Sequence, residues 1–142
     1  MKEANKEARR WFLQAEDDFR FVEWVKNQSI FFDKGCFIAQ QSGEKALKAC
    51  LYAHGARHVF GHSLFEMAQR LSQVADEFQS IMDEARRLDR FYIPTRYPNG
   101  LPGGSPFQIY RAEDLGGAYV DVQKIIDICR GYLEKHEALP FQ

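Results

Sequence analysis

"GCFIAQQSGEKALKACLYAHG", residues 35–55, places Phe37, Gln40, Gly43 or Glu44, Leu47 and Leu51 along one side at steps of three and four. That is the period of a helix with one face against a core. Glu44 and Lys48 have the acid-then-base spacing that supports a helix. Asp33, just upstream, is expected to cap it through its carboxylate, and Gly55 and Gly61 bracket its exit.

Working outward, "NQS" at 27–29 is turn chemistry. Before it, Ala8, Trp11 or Phe12, Ala15, Phe19 and Val22 recur at helical spacing, giving a first helix over roughly 4–27. After it, Ser63 followed by Glu66 has the form of a capping box that opens a third helix. Leu64, Met67, Ala68 and Leu71 form its stripe, and Val74, Phe78, Ile81, Met82, Ala85 and Leu88 form that of a fourth, separated by a bend near "SQVAD". Leu115, Tyr119, Val122, Ile125, Ile126, Cys129 and Leu133 predict a long last helix ending near 135. Nothing alternates like a sheet, and there is no internal repeat. The expected fold is all-α: an up-and-down bundle of four to five helices with a long Pro/Gly-rich loop, about 91–110, before the last.

The 142 residues suit a single domain, 1–142, with its core over about 6–135. Nineteen basic and twenty acidic residues leave a net charge of −1, so no global field would hold the chain on DNA or an anionic membrane. The longest apolar runs fall far below the roughly 18 residues of a membrane span. The charged "MKEANKEARR" start lacks a signal-peptide core, so the expected location is the cytoplasm. Cys36, Cys50 and Cys129 have no CxxC spacing and sit in apolar helical patterns, which reads as three small buried hydrophobes.

Against this helical background "DRFYIPTRYPNGLPGGSPF", residues 89–107, holds four of the five prolines. Pro98 forces Tyr97 away from helical angles, and the segment "IPTRYP" is expected to be extended, with Arg96 and Tyr97 pointing in different directions. Arg86, Arg87, Arg90, Arg96 and Arg111 against Asp89 alone make a local excess of positive charge. Guanidinium groups suit phosphate, and Phe91, Tyr92, Tyr97, Phe107 and Tyr110 could stack on a base. The plainer reading has the aromatics covering the end of the bundle, with the arginines solvated or paired to acids of the first helix.

The order of "ARRWFLQAEDDFRFVEW", "EKALKA", the His-Ser-Leu helix start and the Arg-Tyr-Pro triplet resembles the HEPN superfamily of small helical domains, including stand-alone prokaryotic members and the HEPN domain of sacsin. The resemblance spans about residues 6–135. It implies a bundle of four to five helices, often dimeric, associated with nucleotide binding and with minimal nucleotidyltransferase partners in toxin–antitoxin pairs. In some branches it implies metal-independent RNA cleavage.

Arg57 and His62 have four residues between them, which meets the Arg-x4-6-His pattern of the RNA-cleaving branches. A histidine can exchange a proton with a 2′-hydroxyl while an arginine stabilises phosphate charge. In those branches a polar residue follows the arginine and a Tyr lies two beyond the histidine; here those places hold His58 and Leu64. Gly61 also marks a helix entry, where His62 is expected to be a polar residue directed toward the Arg96–Pro98 segment.

His54, His58 and His62 fall at steps of four, but Gly55 and Gly61 break the helix that would align them, and no metal site is expected. Lys45 and Lys48 are expected to be solvated, the alternative being that Lys45 faces the Arg96 segment and holds a phosphate. There is no GxxxxGK, GxGxxG, HExxH or GxSxG motif, and no cofactor is expected.

Two functions remain in view. One is a non-catalytic binding module in which Lys45, His62, Arg90, Arg96 and Tyr97 engage a nucleotide, an RNA phosphate or a nucleotidyltransferase partner. The other is a ribonuclease toxin using Arg57 and His62 as catalytic residues. Trp11, Trp24, Phe31 and Phe32 are more aromatic surface than one core accommodates, so a homodimer is expected.

Overall fold

The computed structural model describes residues 2–140, leaving the first and the last two residues of the expected 1–142 domain outside the described residues. The main elements are α1 (Lys2–Lys26), α2 (Phe32–Ala53), α3 (Leu64–Ser72), α4 (Met82–Asp89), a four-residue α5 (Pro106–Ile109) and α6 (Ala112–Lys135). Short 3-10 turns at Asp76–Ile81 and Pro98–Gly100 lead into α4 and interrupt the long connection. Among the described residues there is no strand, and no helix is long and apolar enough to cross a membrane.

α2 is the central element, packed on α1, α6, α3 and α4. Its small residues explain why neighbours approach so closely. A Cβ at Gly43 would fall 2.5 Å from Leu64 Cδ2, and one at Gly35 would fall 2.8 Å from Leu115 Cδ1. Ser42 Oγ donates to Ala15 O at 2.8 Å, tying α2 to α1 at a fully buried position. Around it, Leu47, Leu64, Leu71, Leu88, Ile125 and Leu133 are fully buried, each contributing about 1.5–3 kcal/mol relative to exposure. Cys36, Cys50 and Cys129 are buried free thiols within this core.

Three local expectations are corrected. Asp33 does not cap α2: the N-cap is Phe31, in the left-handed region at φ 68°, and Asp33 lies inside the first turn, buried. The helix begins two residues early because Gly35 N already bonds to Phe31 O at 2.9 Å. At α3, Ser63 Oγ accepts from Glu66 N at 3.1 Å as expected, but a distant carboxylate, Asp89, satisfies the other free amides: Oδ1 accepts from Leu64 N and Oδ2 from Phe65 N. Finally, "IPTRYP" is a turn. Arg96 N and Tyr97 N both reach back to Ile93 O, and Tyr97, with Pro98 behind it, takes extended angles.

Candidate functional site

The long connection folds back on itself, with its polar groups meeting its own backbone. Thr95 Oγ1 donates to Phe91 O, and Arg96 Nε donates to Tyr92 O at 2.8 Å. Gly100 lies so close to Pro94 that a Cβ there would meet Pro94 Cα at 3.0 Å.

These bonds fix the Arg96 guanidinium among three aromatic rings. Its Cζ lies 4.6 Å from the centroid of Phe37, 4.6 Å from that of Tyr92 and 5.1 Å from that of Tyr97. Each ring face attracts the cation by about 0.5–1 kcal/mol at an exposed site. Among the described residues no carboxylate pairs with Arg96, and the residue is exposed. The side chain is therefore held in place while its charge stays free for an outside anion.

Behind this cation a line of contacts runs inward. The His62 ring stacks on Tyr92 with centroids 4.6 Å apart, and its Nδ1 lies 3.1 Å from Glu44 Oε1. Glu44 Oε2 accepts from Lys48 Nζ at 3.1 Å, and both side chains are buried. Lys48 Nζ lies 5.5 Å from the Trp11 ring centroid. The contact through Nδ1 leaves Nε2 as the ring nitrogen not engaged by Glu44. The backbone of His62 is also fixed, its carbonyl accepting from Gln40 Nε2 at 2.8 Å.

Arg96 borders a groove of about 500 Å³ whose walls include Phe21, Asp33, Lys34, Phe37, Ile38 and Phe107. Such a volume, mostly apolar with a few charged groups, suits a small organic ligand. Beneath α2's first turns, burial pushes the Cys36 thiol up to about 12, with Asp114 and Asp33 adding to the effect.

The remaining residues singled out in the sequence lie elsewhere. Lys45 does not face Arg96; it is paired with Asp18 of α1 and lines a groove with Trp11 and Gln14. Nor is Lys48 solvated, since it is the buried partner of Glu44. The arginine cluster is also smaller than its sequence suggests. Arg87 makes two 2.9 Å bonds to Asp121 of α6, which hold its guanidinium above its usual value, and Arg86 is 2.6 Å from Asp83. Arg90 sits in a separate groove against Glu113, Asp114 and Asp121.

Arg57 and His62 share no helix. Arg57 lies beside Glu3 and Glu7 of α1, and His62 lies on Tyr92. No hydrogen bond joins them among the described residues. His54 is the C-cap of α2 and His58 stacks on Phe60, so the three histidines do not converge, and no group of three metal-ligating side chains forms among the described residues. Of the four aromatics expected to exceed the core, Trp11 and Phe32 pack against it, whereas Trp24 and Phe31 are exposed.

Phe37 and Glu44 were the site residues hardest to anticipate, whereas Tyr92 stood among the aromatics of the 89–107 segment. Glu44 follows Phe37 by seven positions on an apolar helical side, and a carboxylate in such a stripe was the available signal.

The HEPN domain family matches residues 8–132, and the chain belongs to that family. It is similar to the crystal structure of TT1696 from Thermus thermophilus, with 31% identity, a TM-score of 0.82, and coverage of 89% of this chain and 98% of that one. It is also similar to ST0689, an archaeal HEPN homologue, with 28% identity, a TM-score of 0.73, and coverage of 90% and 98%. No curated protein matches the chain.

Proposed function

We propose that this HEPN domain is a binding module whose Arg96 groove takes a phosphate-bearing nucleotide. The observation that carries this reading is the Arg96 guanidinium, oriented by three rings and its own backbone yet without a carboxylate partner. In this reading Arg96 holds phosphate, Tyr97 shields it, and the His62 ring, stacked on Tyr92, adds a polar contact. The base lies against Phe37 and Phe107. Arg90 and Lys45, in their own grooves, take no part.

Calorimetric titration with ATP and GTP tests it. Wild type should bind, and Arg96→Ala should weaken binding at least about tenfold, the worth of one charge-assisted phosphate contact. Absence of binding to either nucleotide by wild type would refute the reading.

The same exposed cation and rings suit a minimal nucleotidyltransferase partner in a toxin–antitoxin-like pair, and the exposed Trp24 and Phe31 suit a second copy of the chain. A monomer mass by light scattering at micromolar concentration would discard the homodimer. Separation of Arg57 from His62 counts against the ribonuclease reading.

A further inference from the structure

Among the described residues a single buried side-chain oxygen or nitrogen lacks a hydrogen-bond partner: Asp33 Oδ1. Asp33 is 3% exposed, and it belongs to the wall of the same groove that Arg96 borders. A buried carboxylate oxygen left without a donor is costly, and native proteins rarely tolerate one without a reason. Its other oxygen, Oδ2, is 2.9 Å from Lys34 Nζ. Lys34 covers that oxygen from the solvent side, its own side chain 55% exposed.

The groove therefore offers three kinds of recognition: aromatic walls at Phe37 and Phe107, a free cation at Arg96, and an acceptor at Asp33 in need of N–H donors. Nucleobases differ in what they can offer a carboxylate. Guanine presents N1–H and the 2-amino group side by side, two donors for two carboxylate oxygens. Adenine presents its amino group next to the bare N1 lone pair, which would face an anionic oxygen.

We propose that Asp33 makes the groove selective for guanine nucleotides, its carboxylate accepting from N1–H and the 2-amino group while Arg96 holds the phosphate. This rests on reading the groove as a nucleotide site. When the base arrives, Lys34 Nζ leaves Oδ2 and turns to the phosphates. Asp33 is then a specificity residue whose unpartnered Oδ1 finds its donor in the ligand.

Calorimetry on the full chain with GTP, ATP and XTP tests this. Wild type should bind GTP about tenfold or more tighter than ATP, as expected when a buried charged acceptor is satisfied by one base and opposed by the other. Asp33→Asn replaces one acceptor with a donor, so it should weaken GTP and admit XTP, whose 2-oxo group accepts from the new amide. A merely structural role for Asp33 would produce no gain of XTP. Equal affinity of wild type for GTP and ATP would overturn the guanine inference, even if Asp33→Asn failed to fold. The nucleotide reading would still stand if Arg96→Ala weakened both. If wild type binds no nucleotide, both fall together.

Discussion

Asp89, the last residue of α4, closes the first turn of α3 by accepting from Leu64 N at 2.7 Å. Its second oxygen takes Phe65 N at 3.1 Å and Ser63 Oγ at 2.9 Å. One carboxylate thus satisfies two amides of a helix N-terminus, where the helix dipole also favours negative charge. Because this clamp stands at the entrance to the long connection, it ties the α3 start to the segment that carries Arg96.

Asp89→Ala should lower unfolding free energy by about 2 kcal/mol, as for loss of a strong cap with a charged acceptor. Asp89→Asn should lose less, since one oxygen still accepts. Urea denaturation followed by circular dichroism would check both, and an unchanged midpoint for the alanine variant would show that the clamp contributes nothing.

The Glu44–Lys48 pair is buried on both sides, at 6% and 8% side-chain exposure. Glu44→Gln or Lys48→Met alone strands the other charge and should cost about 3 kcal/mol. The double variant should cost much less than the sum, because no charge is then left unpaired. Urea unfolding of the four proteins measures the coupling, and additivity would contradict it.

Alkaline stability should reflect the buried thiols. Burial pushes Cys36 up to about 12 and moves Cys50 well upward in the same direction. A folded-state value above the unfolded one stabilises the protein fully below the unfolded value of 9.0, and that contribution is lost as pH rises toward 12. Between these limits Cys36 alone should reduce unfolding free energy by about 1.4 kcal/mol per pH unit. Denaturation at pH 8, 9 and 10 should show the decline, and Cys36→Ala should make it shallower.

The helices were legible because their apolar residues repeat at helical spacing over many turns. Residues such as Leu47, Leu64, Leu88 and Leu133 stand in the core as that period requires. The boundaries were less legible where tertiary contacts decide them. Phe31 takes the N-cap in a left-handed conformation that few non-glycine residues adopt, and α3 draws its cap from a carboxylate 25 residues away in sequence. Arg96 stood out through its prolines and neighbouring rings. Its backbone was harder to read, because nothing local reveals that Ile93 O would receive both following amides. The polar line from Arg96 through His62 to Lys48 joins the loop to α2, a pairing set only by the folded topology.

The close approach of Gly100 to Pro94 limits how this protein can vary. Loops normally tolerate extra residues, but here the backbone at one end of the segment seats directly on the other. An insertion between them would push the two apart and remove the perch on which the guanidinium rests. Natural variants should change the colour of this segment, one ring for another, far more readily than its length.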